Sequence, residues 1–143
     1  MTPGPHPAGS RGRVLVVDDD EAMSETVADC LVRRGFTAAS RTSAESALAL
    51  LDTREFDVVF TDLNMAGMDG LALCRRLAEI RHDLPVVICS AFGSLEVRAS
   101  AWAAGAFEFM AKPFELDELR STLDRAVAYG RDAEARRVAA GEK

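Results

Sequence analysis

Five polar residues of this 143-residue chain have types that could do chemistry together: Asp18, Asp19, Asp62, Ser90 and Lys112. Intervals of 44, 28 and 22 residues separate Asp18, Asp62, Ser90 and Lys112, so only the fold can unite them. Carboxylates gathered in one place repel and take raised pKa values unless a cation neutralises them. A hard, oxygen-seeking divalent ion, with Mg2+ the natural candidate, removes that penalty and can bridge to a phosphoryl oxygen. On this reading Asp62 is the nucleophile, because a carboxylate can accept a phosphoryl group as an acyl phosphate. Asp19 and Asp62 would hold the ion directly, Asp18 one of its waters, and Asn64 would offer its backbone carbonyl. Lys112 would present a compact positive charge to the phosphoryl oxygens, and Ser90 a hydroxyl donor. Phosphoryl transfer asks mainly for such positioning and charge compensation.

The elements that must position these groups are legible from periodicity. Val14–Val17 is an apolar run without polar alternation, as in a strand covered on both faces. Met23, Val27, Leu31 and Val32 then recur at helical spacing up to Gly35, a plausible stop. Phe36–Ser40 is a weaker strand, expected near an edge. Thr42 with Glu45 forms a capping-box pattern ahead of the apolar stripe Ala44, Ala47, Leu48 and Leu51. Val58–Phe60 is a third strand, and Leu73, Leu77 and Ile80 mark a helix that must end before Pro85. Val86–Ile88 is a fourth strand, Ser94–Ala104 a helix ended by Gly105, and Phe107–Met110 a fifth strand. Leu116, Leu119, Leu123, Ala126 and Val127 stripe the last helix. Five strand–helix alternations with short connections predict an α/β fold with a doubly wound, five-stranded parallel sheet and five helices. Its working crevice lies at the carboxyl ends of the strands, where all five polar groups would fall. An Asp at a strand-to-helix junction is also an ordinary N-cap. Asp20 is assigned that role, and Asp18 taken alone fits either.

Composition narrows the classes. The chain is 48 % hydrophobic and 28 % charged, the balance of a globular domain. Net charge is −6; residues 1–12 and 131–143 each carry +1, leaving −8 over 13–130. That acidity argues against phosphate-backbone binding by the domain. No apolar run approaches a membrane span, and the Pro- and Gly-rich start is no signal peptide. Residues 1–12 are expected as a flexible arm, 13–130 as the domain, and 131–143 as a tail or linker start. Cys30, Cys74 and Cys89 are odd in number and lack metal-ligand spacing, which fits a reducing cytoplasm. His6 and His82 have no companion for metal binding, so a phospho-donor histidine would come from another protein.

Four segments, VLVVDDD (14–20), TDLNMAGMDG (61–70), VVICSAFG (86–93) and FMAKPF (109–114), resemble in order the receiver domain of two-component response regulators. The resemblance runs from Arg13 to about Gly130. It implies flavodoxin-like architecture, Asp18 and Asp19 as the acidic pair, and Asp62 as phospho-acceptor for a sensor histidine kinase. It also implies Mg2+ as cofactor, Asn64 as the carbonyl ligand, Ser90 as the hydroxyl switch and Lys112 as the phosphate-sensing lysine. Phe109 stands where the family has a rotating aromatic, often Tyr, so a tyrosine hydroxyl is lacking here. The family further implies a cis Lys112–Pro113 bond, and Ala66 replaces a Pro common in relatives. AFGSLE (91–96) and KPFELDEL (112–119) look like the receivers of nitrogen-regulatory, sigma-54-dependent activators, which continue into an ATPase and a DNA-binding domain. A chain of this length has room for neither, so it reads as a standalone regulator or, preferably, as an excised piece.

The output surface is expected on the fourth helix, fifth strand and fifth helix. Val97, Ala101 and Ala104 share a stripe that would face the sheet, whereas Leu95, Arg98 and Trp102 would point away as an interface, with a partner or with a second copy in a homodimer. Two rivals compete with a phosphorylation switch. A haloacid-dehalogenase-type phosphohydrolase also uses a strand-end Asp but wants a second acid where Asn64 stands. A purely structural interaction domain would not need the polar set at all.

Overall fold

A computed structural model of the chain describes residues 10–141. Within them lie β1 (Arg13–Val17), α1 (Glu21–Arg33), β2 (Thr37–Arg41), α2 (Ala44–Leu51) and β3 (Val58–Asp62). They are followed by α3 (Gly70–Ile80), β4 (Val86–Ser90), α4 (Leu95–Ala103), β5 (Glu108–Ala111) and α5 (Leu116–Ala139). The strands form one parallel sheet in the order β2-β1-β3-β4-β5, with β2 at the edge as expected.

The lack of polar alternation in the strands has a direct structural cause. Leu15, Val17, Val59 and Ile88 pack into a core beneath α2, α3 and α4. Val14, Val16, Val58, Phe60, Val87, Cys89 and Met110 point the other way, into a core beneath α1 and α5. Each fully buried Val, Leu or Ile contributes about 1.5–3 kcal/mol through removal from water, so two apolar faces hold the helices on both sides.

Local capping explains where the helices start. Asp20 is the N-cap of α1, its carboxylate accepting from the Met23 amide at 3.1 Å. Asp69 and Ser94 do the same for α3 and α4. For α2 the cap is Ser43, not Thr42: Ser43 is the last extended residue before Ala44, and its hydroxyl accepts from the Ser46 amide at 3.0 Å. The expected helical stripes were also too wide. Met23, Val32 and Ile80 lie on exposed flanks of α1 and α3.

The described residues at both ends of the domain make long-range contacts. Residues 1–9 of the expected arm lie outside the described residues. Ser10–Gly12 are tied down: the Arg11 amide donates to the Gly35 carbonyl at 2.8 Å, and its guanidinium reaches the Arg34 carbonyl and Asp124. At the other end α5 runs through residue 130 without a break and continues to Ala139. Gly130 lets it approach the α3–β4 connection, since a Cβ there would lie 2.9 Å from both the Asp83 carbonyl oxygen and Pro85 Cδ. Two turns on, Arg137 pairs with Asp83 at 2.7 Å. No helix among the described residues is long and apolar enough to cross a membrane.

Candidate functional site

Strand order places the site. β1 lies between β2 and β3, so the chain reverses its direction of winding there and leaves a crevice outside the carboxyl ends of β1 and β3. Val17 is in register with Thr61, which sets Asp18 and Asp19 at the end of β1 beside Asp62 at the end of β3. Ser90 ends β4 opposite Ala111, and Lys112 follows at the end of β5. Carboxylate oxygens of Asp18, Asp19 and Asp62 all lie within 4.8 Å of one another. The Lys112 Nζ stands 3.4 Å from Asp62 Oδ1 and 3.9 Å from Asp18 Oδ2.

These side chains are fixed by their surroundings. Asp18 and Asp62 are largely buried, and Asp18 Oδ1 accepts from the Asp20 amide at 3.0 Å. Burial raises the Asp18 pKa, the Asp20 amide opposes this, and the charges of Asp62 and Asp19 add to the rise. Burial works to lower the Lys112 pKa. The carboxylates of Asp62 and Asp18 pull the other way, and Lys112 stays above its ordinary value, as an ammonium. Asp19 is exposed, and its Oδ2 accepts from the Ala66 amide at 3.1 Å, which anchors the loop after β3. The Lys112–Pro113 bond is cis.

Three carboxylates and one ammonium leave two negative charges unbalanced, the charge of one divalent cation, and every donor is a hard oxygen. The residues present therefore fit Mg2+.

Ser90 is fully buried, and its Oγ accepts from Asn64 Nδ2 at 3.2 Å and from the Phe92 amide at 3.1 Å. Asn64 thus enters the site through its side chain, a contact with no sequence signal. Ala66 and Phe92 enter through backbone amides, which spacing cannot reveal. Gly70 is another residue that sequence reasoning passed over. A Cβ on it would come 2.5 Å from the Asp62 carbonyl oxygen and 2.9 Å from Leu63 Cα, so α3 can start this close to Asp62 only at a glycine. Cys89, next to Ser90, has its thiol pushed up to about 12 by burial, against the pull of Lys112, which leaves it unreactive at neutral pH.

The expected output face divides. Ala101 and Ala104 are buried against the sheet, with Val97 partly buried beside them. Leu95 and Trp102 are exposed at 86 % and 50 %, and Phe92, which the helical stripe did not include, at 72 %. Arg98 departs from expectation. It folds back so that its guanidinium lies 4.9 Å above the centroid of the buried Phe109 ring, and its Nε donates to the Gly93 carbonyl at 3.1 Å.

A groove of about 510 Å³ opens beside the carboxylates between α1 and the β5–α5 connection. Asp18, Asp62 and Lys112 form one end, and Met23, Val27 and Phe114 its apolar flank.

Comparison with known proteins agrees with this geometry. Residues 14–124 match the family model of the response regulator receiver domain. The DNA-binding transcriptional regulator NtrC of Salmonella typhimurium is 36 % identical over 119 residues, covering 83 % of this chain and 25 % of that protein. The transcriptional regulatory protein ZraR of the same organism is 37 % identical over 125 residues, covering 85 % and 28 %. The crystal structure of the receiver domain of NtrX from Brucella abortus matches with a TM-score of 0.75 at 37 % identity, over 80 % of this chain and 98 % of that one. The chain spans about a quarter of the length of the curated relatives it matches. A parallel sheet in this order, with an aspartate–lysine crevice at its carboxyl edge and these matches along its length, makes the chain a member of the response regulator receiver domain family of two-component signalling.

Proposed function

We propose that the domain accepts a phosphoryl group on Asp62 from a phosphohistidine of a sensor kinase and passes the event to its α4–β5–α5 face. The observation that carries this reading is the placement of the Asp62 carboxylate: largely buried, grouped with Asp18 and Asp19, and 3.4 Å from Lys112. Asp19 and Asp62 would hold Mg2+ directly, Asp18 would hold it through a water, and the Asn64 backbone carbonyl would complete the protein's share. Bound there, the ion would supply charge neutralisation to the carboxylates and Lewis-acid polarisation to a phosphoryl oxygen.

The protein's own groups do the rest. The P–N bond of the donor breaks as an Asp62 Oδ–P bond forms, and the departing imidazole nitrogen keeps the electron pair. Lys112 compensates charge on the transferring oxygens. Ser90, already held by Asn64 and Phe92, turns its hydroxyl hydrogen to the phosphoryl and draws the start of the β4–α4 loop with it. Phe109 and α4 then shift between two arrangements that both pre-exist. The domain thus catalyses only transfer to itself and later hydrolysis.

The wider setting follows the relatives. The family and the regulators NtrC and ZraR support a place in transcriptional control through a downstream domain, with a standalone regulator as the alternative. Leu95 and Trp102 are the proposed anchors of a homodimer. Net acidity argues against nucleic-acid contact by this domain, and three free thiols accord with the cytoplasm. Acetyl phosphate with Mg2+ should add one phosphoryl to the chain by intact mass, and chelation or Asp62→Asn should abolish it. Equal uptake by Asp62→Asn would remove Asp62 from this role.

A further inference from the structure

Arg98 has an unusual position for a residue on the outer flank of a helix. It is half-buried and forms no salt bridge among the described residues. Instead its guanidinium bridges the β4–α4 loop and the aromatic ring of β5. Its Nε holds the Gly93 carbonyl at 3.1 Å, and its plane covers the Phe109 ring at 4.9 Å. The three groups are in close order: a Cβ on Gly93 would lie 3.4 Å from Arg98 Nη2 and 3.6 Å from Phe109 Cε1. Phe109 has no hydroxyl with which to fix its own position, so a cation on its π face is the directional contact available to it.

The contact also continues a path from the phosphorylation site. Ser90 Oγ accepts from the Phe92 amide at 3.1 Å, and Gly93 is the next residue. Any displacement of Ser90 toward a phosphoryl on Asp62 therefore moves the carbonyl that Arg98 grips. Moving that carbonyl loosens the guanidinium from the ring, or else the ring must follow.

We infer that Arg98 is a positioning residue of the switch: its guanidinium clamps the Gly93 carbonyl to the Phe109 ring in the unphosphorylated arrangement and so opposes activation. The inference rests on the reading that Asp62 phosphorylation drives the switch. It assigns Arg98 a role inside the domain in place of the outward interface role expected from helical spacing. Losing the clamp shifts the balance toward the active arrangement without a new contact being made.

The test is a titration of the full chain with beryllofluoride and Mg2+, a mimic of the phosphoryl group, followed by backbone amide shifts of Gly93, Arg98 and Phe109. Arg98→Ala should lower the beryllofluoride midpoint about fivefold, a change within the range of a cation–π contact. Its unliganded shifts should lie part of the way toward the liganded positions of the parent. Arg98→Met keeps the side-chain volume without the charge and should behave as Arg98→Ala. Arg98→Lys keeps a cation over the ring and should fall between these and the parent. An unchanged or higher midpoint in Arg98→Ala overturns the inference, as does parental behaviour of Arg98→Met, which would show packing alone to be at work. If the parent itself binds no beryllofluoride at Asp62, the switch reading fails first, and that outcome is distinct from the other two.

Discussion

Asp18 shows how a single side chain can be a burden until its partner arrives. Its carboxyl is buried, which raises its pKa, and Asp62 and Asp19 push it further in the same direction. A raised carboxylate pKa means that the protonated form is tolerated in the fold. Its stabilising share is complete below the ordinary carboxylate pKa and is lost as pH rises through the higher folded value. Without divalent ions, Asp18→Asn should therefore raise the neutral-pH melting temperature by a few degrees, and the gain should fade in acid. In excess Mg2+ the order should invert, because the parent is stabilised by mass action and the variant much less. Thermal unfolding with and without chelator checks both halves; a parent more stable than Asp18→Asn in chelator would refute the charge-crowding account. At this scale the sequence was informative about side-chain types and silent about backbone donors. Asp18, Asp19, Asp62 and Lys112 are legible as a set, since any one of them at a strand end is as readily a cap or a solvated residue. The Ala66 and Phe92 amides are common to all residues and leave no mark.

Among the elements, the strands and helix centres were readable because each carries an apolar run or stripe several residues long. Where the decision fell on one hydrogen bond, as in the choice of Ser43 over Thr42 as a cap, neighbouring residues of similar chemistry gave no preference. The extent of α5 was missed for a different reason. Beyond Val127 its helix is held by one close approach and by long-range ion pairs, neither of which has helical periodicity. Gly130 is the point of that approach, and two effects compete there. Alanine improves intrinsic helix propensity by about 0.8–1.0 kcal/mol. Its Cβ, however, would press on a backbone oxygen at 2.9 Å and on a proline ring at the same distance, an overpacking that typically costs about 1–3 kcal/mol. The clash should prevail, and Gly130→Ala should lose about 1 kcal/mol or more in urea unfolding. A stabilised variant would show that α5 is not tied to the α3–β4 connection.

For the molecule as a whole, the architecture was legible because parallel strands between two helical layers must be apolar on both faces, and the three central ones, β1, β3 and β4, are. The surface was harder to read, since helical spacing assigns a direction to a side chain but not its reach. Arg98 turned inward, while Leu95 and Trp102 remained outward and Phe92 joined them. If these exposed groups form the contact between copies, Trp102→Ala should weaken self-association of the beryllofluoride form at least tenfold by sedimentation, about 1.4 kcal/mol. Parental association in that variant would move the interface elsewhere. All of this depends on where the phosphoryl group goes. The most direct measurement is borohydride reduction of the acetyl-phosphate-treated chain followed by peptide mass spectrometry, since reduction converts an aspartyl phosphate to homoserine. The account predicts homoserine at position 62 alone, and only when Mg2+ is present; homoserine at another aspartate, or equal yield at 62 in chelator, would contradict it.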